Sequence, residues 1–119
     1  MPKARIEIWI GREDWSDVVG ENPLVAETQE KEYREGCLTL EIKTSISERI
    51  ANIPGGADLL RSHTQIGGVE LLNQSSQRWY GGARLWVKID NPDATFEQAV
   101  RTATDIIAGV FNGKITIDK

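Results

Sequence analysis

Residues 95–118 constrain this chain more than any other stretch, because they fix both a long helix and the surface it must cover. Thr95 and Gln98 stand as S/T-x-x-E/Q, the capping box that satisfies orphan amides at a helix start. Phe96, Ala99, Val100, Ala103, Ile106, Ile107, Val110 and Phe111 then recur at three- and four-residue spacing, one stripe of a 3.6-period helix. Asn112-Gly113 supplies the stop, and Lys114-Ile115-Thr116-Ile117-Asp118 alternates as a strand does. Burying the six bulkiest members of that stripe is worth about 1.5–3 kcal/mol each before entropy. A helix with one apolar side needs a flat apolar partner. The expected class is therefore α+β: a single, mostly antiparallel sheet with one long C-terminal amphipathic helix packed on one face.

The rest of the chain supplies that sheet. Residues 5–10 alternate, with Ile6, Ile8 and Ile10 on one side and Glu7 and Trp9 on the other. Residues 32–43 read as a second long strand, with Leu38, Leu40 and Ile42 inward and Thr39, Glu41 and Lys43 outward; residues 25–29 read as an extended arm that pairs with it. Residues 11–23 read as a loop. Ser47 caps a short helix that Pro54-Gly55-Gly56 ends, and 57–63 can form a further turn of helix. Residues 69–72 and 84–89 read as a hairpin with a long polar tip, and 90–93 as the turn before the final helix. At 119 residues this is one domain, 1–119, with no repeat. Gly55-Gly56, Gly67-Gly68 and Gly81-Gly82 are not followed by the Lys-Ser/Thr of a phosphate-binding loop, and Gly81-Gly82 suits a bulge or bend.

Charge is unevenly placed. Residues 12–35 hold eight carboxylates against three cations, a net of −5 in a chain whose total is −4. Such a tract argues against a nucleic-acid partner, which needs clustered Lys and Arg. It reads as a solvated face, or as an acidic contact surface in which Glu27, Glu30, Glu32 and Glu35 meet a partner. Cys37 is the sole cysteine, which excludes an internal disulfide and a CxxC site. The first residues show no signal-peptide core, and no apolar run approaches the ~20 residues of a membrane span, so a cytoplasmic location is expected.

No reaction centre assembles from the sequence. His63 is the only histidine, beside Ser62 and Thr64 and five residues after Asp58, and no GxSxG elbow accompanies it. One His and one Cys do not build a zinc site, and no EF-hand spacing is present. Glu7, Glu41 and Glu70 all fall on strand patterns, but nothing selects two of them as an acid/base pair. The expectation is a protein that is not an enzyme and binds neither cofactor nor metal.

Tryptophan says more, making up four of the eight aromatic residues. Trp9 and Trp86 fall on the outward side of their strands, opposite the aliphatic residues that meet the helix. Both indoles are then expected on the far face of the sheet, covered by the 11–23 loop or by another chain. Arg78-Trp79-Tyr80, beside the polar hairpin tip, adds two rings to the same expectation. Stacking of a small ligand on these rings is a third option.

The stretch Glu32-Tyr33-Arg34-Glu35-Gly36-Cys37-Leu38-Thr39-Leu40-Glu41-Ile42 resembles a strand of phage tail-terminator and head–tail joining proteins. Arg78-Trp79-Tyr80 leading into a strand is similar to their later strands, and so is an amphipathic helix laid on one sheet. This chain opens on a strand, where many of those proteins open on a helix. The resemblance implies a ring-forming assembly subunit of a phage tail or neck, located in the virion, without catalytic residues. An acidic segment would line or cap the ring, and a long arm would reach a neighbour. The expected function is a non-enzymatic assembly protein that forms homo-oligomers or binds other protein subunits. The alternative is a small acidic inhibitor or immunity protein that presents 27–35 to a basic partner.

Overall fold

Strict alternation of aliphatic and polar residues decides the architecture, because each strand can then bury one side and wet the other. The structure is a computed structural model that describes residues 3–11, 23–44, 56–72 and 82–118. In chain order the strands are β1 (Lys3–Trp9), β2 (Leu24–Gln29), β3 (Tyr33–Arg34) and β4 (Cys37–Thr44), then β5 (Ile66–Leu71), β6 (Ala83–Lys88) and β7 (Lys114–Asp118). Helix α1 (Gly56–Arg61) precedes β5, and helix α2 (Phe96–Val110) lies between β6 and β7. All pairings are antiparallel, in the spatial order β5-β6-β4-β2-β1-β7, with β3 also on β4. The α+β expectation holds in class and in layering.

The core is a single layer between sheet and helix. Ile6, Ile8, Leu24, Ala26, Leu38, Leu40, Ile42, Leu85 and Val87 are fully buried on the sheet side. Facing them from α2 are Ala99, Val100, Ala103, Ile107, Ala108 and Val110, with Phe111 just past its end. Phe96 and Ile106, at the margins of the stripe, are only half-buried and pack against this core. The capping box forms as the sequence implies: the Gln98 amide donates to Thr95 Oγ1 at 3.2 Å, and the Thr95 amide to Gln98 Oε1 at 3.0 Å. No helix among the described residues is long and apolar enough to cross a membrane.

Two expectations need correction. Residues 25–29 pair with β4 from Val25 to Glu27 as expected, but they are not an arm: β2 is an interior strand with β1 on its other side. Residues 32–43 are not one strand either. Glu35 (φ 56°) and Gly36 (φ 73°) form the two-residue turn of a tight β3–β4 hairpin, both in the left-handed region as a type I′ turn demands. Between β2 and β3 a single 3₁₀ turn, Glu30–Glu32, leaves the line of pairing with β4. Thr28, itself buried, compensates where the ladder breaks by donating its hydroxyl to the Thr39 carbonyl at 2.8 Å. The 69–72/84–89 hairpin is present as β5–β6, closed by Leu72 N–H to Gly82 O at 3.0 Å. Gly82 has φ 131°, the bend foreseen for the Gly81-Gly82 pair. The tip with Trp79 and Tyr80, the loop with Trp15, and the helix proposed to start at Ser47 lie outside the described residues.

Two glycines test the joint between α2 and the sheet. A Cβ on Gly113 would stand 1.9 Å from the Trp9 carbonyl oxygen, so β7 reaches β1 only because that atom is missing. Gly109, inside α2, has open space where a Cβ would go. Gly109→Ala should therefore stabilise the fold by roughly 0.5–1 kcal/mol. Gly113→Ala should cost on the order of 3 kcal/mol or more, since backbone must move. Thermal denaturation of both variants checks this, and equal melting temperatures would refute the account.

Candidate functional site

With α2 covering one face, the opposite face carries the remaining chemistry. Its register lines up one charged residue from each of six strands. In order across the sheet these are Glu70 (β5), Arg84 (β6), Glu41 (β4), Glu27 (β2), Arg5 (β1) and Asp118 (β7). Arg84 Nη1 meets Glu70 Oε2 at 2.8 Å, and Arg5 Nη1 meets Glu7 Oε1 at 2.7 Å along the same strand. The centre of the row sets Glu27 opposite Glu41, a like-charge neighbour pair that disfavours the fold by itself. The flanking arginines offset it. No sequence pattern selects this pair, because the strand pairing that creates it is not local.

Trp86 and Trp9 fall on opposite sides of the row. Trp86 sits one pairing step beyond Arg84, opposite Thr39 and Gly68, and Trp9 two steps beyond Arg5, opposite Lys114. Three strand spacings and six residues of rise separate them, roughly 25 Å. Both indoles emerge on the helix-free face, as the alternation implies, yet they form no common patch. Trp9 is 42% exposed. Trp86 is half-buried, and its ring lies over Gly68, where a Cβ would come within 2.9 Å of its Cε3. That contact explains the Gly67-Gly68 pair: a register shift between Ile66 and Gly68 and a missing side chain make room for the indole.

Beside Trp86 the 3₁₀ turn rises as a wall over the sheet. One hollow of about 500 Å³ is lined by Lys31, Glu32, Arg34, Cys37, Thr39 and Trp86. A second, of about 220 Å³, continues from Glu32 and Thr39 toward Glu27, Glu41 and Arg84. Of the four tract carboxylates singled out in the sequence, Glu27 and Glu32 line these hollows. Glu30 and Glu35 do not: Glu30 opens the 3₁₀ turn and Glu35 occupies the hairpin turn. Thr39 and Arg84 were not among the candidate contact residues. Alternation puts both outward and sets Arg84 two residues from Trp86 on β6, but only the β4–β6 register brings Thr39 opposite the indole.

The other candidate groups are engaged elsewhere. Ser62 Oγ donates to the Leu59 carbonyl at 2.7 Å, and Asp58 pairs with Arg61 at 3.1 Å, so neither is directed to His63. Glu7, Glu41 and Glu70 do lie on strands of one face, with Glu7 and Glu70 bound to their arginines. Among the described residues no group of three His, Cys, Asp or Glu side chains is arranged to hold a metal. Comparison with protein-family models, with curated proteins and with solved structures finds no match to this chain.

Two substitutions probe this face. Arg84→Met removes the cation between Glu41 and Glu70 and should cost about 0.5–1 kcal/mol, the pair being partly exposed. The loss should shrink at high salt; a salt-independent loss would mean packing, not charge. Gly68→Ala should push the indole aside, at a cost of about 1–2 kcal/mol. It should change the near-ultraviolet circular dichroism, and a Trp86→Phe background should abolish that change. An unchanged spectrum would mean the ring does not rest on Gly68.

Proposed function

We propose that this chain is a non-enzymatic interaction and assembly protein that receives a partner protein in the hollow beside Trp86. The observation that carries the reading is the hollow's construction: an aromatic floor, half-buried and held by Gly68, with a rim of Lys31, Glu32 and Arg34. Trp and Arg are the residue types that anchor interfaces, and a pocket next to them admits a partner's side chain. The charged row explains why the middle of the face tolerates water while its Trp86 corner offers contact area.

Within this reading, the resemblance to phage tail-terminator and head–tail joining proteins gives a specific form, a ring-forming subunit of a tail or neck with neighbouring copies as partners. Of the residues that carry it, Glu32–Ile42 form the end of the 3₁₀ turn, the β3–β4 hairpin and most of β4, which border the hollow, while Arg78-Trp79-Tyr80 lie outside the described residues. The alternative, an acidic inhibitor of a basic protein, draws less support from the charges. Lys31, Arg34 and Arg84 alternate with Glu27, Glu32 and Glu41 around the two hollows, so the surface is mixed in sign. A mixed rim favours a mixed partner.

The test uses the tagged protein in its own cells with cross-linking and mass spectrometry. Cross-links to a partner should concentrate at Lys31 and Lys88, the lysines nearest the hollow. Arg34→Glu and Trp86→Ala should each remove them; Arg34→Glu also loses the Nε–H donated to the Lys31 carbonyl at 3.2 Å, and being exposed it should cost about 1 kcal/mol of stability or less. The same partners recovered with both variants would exclude the hollow as the contact.

A further inference from the structure

A sheet has two edges, and this molecule treats them differently. The β5 edge is guarded: its strand carries two glycines and a register shift, and α1 packs beside it. Bulges and covering helices are the usual means of keeping an edge from pairing. The β7 edge has no register shift, and α2 contacts β7 as it contacts β1, from the apolar side of the sheet. Among the described residues no strand lies beyond β7, which pairs with β1 through five consecutive residues without a register shift.

The sequence of that edge is self-complementary. Turned about a two-fold axis through Thr116, Lys114-Ile115-Thr116-Ile117-Asp118 meets itself with Lys114 opposite Asp118, Ile115 opposite Ile117 and Thr116 opposite Thr116. Opposite charges then fall at both ends and apolar pairs between them, the cross-strand combinations that stabilise antiparallel sheets. Ile115 and Ile117 pair with the fully buried Ile8 and Ile6, so they lie on the helix side, yet each remains half-exposed. The apolar layer thus runs out to the edge and stops unfinished there.

We infer that a second copy of this chain pairs with β7 antiparallel about Thr116, joining two sheets into one. The contact lies on a different surface from the hollow beside Trp86 and stands independently of the function proposed for that hollow. A two-fold contact of this kind is isologous and closes on itself, so it yields a dimer and not an extending filament. Five residues of strand bury less than the ~1,200 Å² of a standard interface, which places the contact among weak, transient ones, and the dissociation constant expected of it is on the order of 10–100 µM.

Disulfide trapping tests the register. In a Cys37→Ser background, Thr116→Cys brings the two introduced thiols onto the axis, with Cα atoms about 4.5–5.5 Å apart, inside disulfide range. Lys114→Cys places its two thiols four residues apart along the strands, about 14 Å, outside that range. At about 100 µM under a glutathione redox buffer, Thr116→Cys should form a covalent dimer at least tenfold faster than Lys114→Cys. Sedimentation should show Lys114→Asp, which places like charges at both ends, raising the dissociation constant about tenfold with an unchanged melting temperature. Equal trapping at the two positions, no trapping at Thr116→Cys, or a strict monomer up to about 500 µM, well above the expected dissociation constant, would overturn the proposal.

Discussion

The apolar stripe of α2 resting on the aliphatic side of the sheet is the contact on which the rest depends. It commits β1, β2, β4 and β6 to a fixed facing, since a slip of one residue would turn Ile6, Ala26, Leu40 and Leu85 outward together. Once that side is buried, every outward residue must tolerate solvent or find a partner on the same face. The six-residue charged row is the result. Its central Glu27/Glu41 neighbour pair is tolerated because Arg5 and Arg84 adjoin it on either side, and because the exposed face keeps the local dielectric high.

Local patterns in the chain made the helix, its cap, its stop and the facing of most strands readable. Each of these is decided by residues within a turn or two of one another. What alternation cannot supply is which strand lies beside which. Residues 25–29 carry a single carboxylate, Glu27, and nothing in their pattern says whether one strand or two lie beside them, so β2 reads as an arm until its two neighbours are known. The β3–β4 turn was hidden for a different reason. Glu35 adopts a positive φ that glutamate rarely takes, whereas Asn-Gly or Asp-Gly would have marked the hairpin openly. With that turn unread, the 3₁₀ excursion before it and the hollow it walls were unreadable as well.

The site shows the same division. Outward placement of Trp9 and Trp86 followed from period-two spacing alone. Their separation did not, since it depends on two intervening strands and on opposite displacement from the charged row. Two indoles that look alike in the sequence therefore occupy different settings. Trp86 is braced on Gly68 with a hollow at its side, while Trp9 projects at the far corner next to Lys114. A braced aromatic has less freedom to lose on binding than a projecting one, so the entropic cost of contact is lower at Trp86.

In the dimer inferred from β7, the edge and the hollow proposed to receive a partner would be coupled by symmetry. An antiparallel two-fold contact between edge strands has its axis perpendicular to the sheet, so both copies of α2 lie on one side and both helix-free faces on the other. The hollows beside Trp86 then share a face but sit toward its outer ends, with β4, β2, β1 and β7 of each copy between them and the axis. At about 4.8 Å per strand this leaves them on the order of 40 Å apart. A small monomeric partner reaches only one of them. A partner that is itself two-fold, or that repeats along a larger assembly, can engage both, and its second contact then forms at a high effective concentration. A weak edge contact is enough for that purpose, because a bivalent partner stabilises the dimer by binding it. The pairing of β7 and the hollow beside Trp86 would then strengthen each other with no conformational change in either chain.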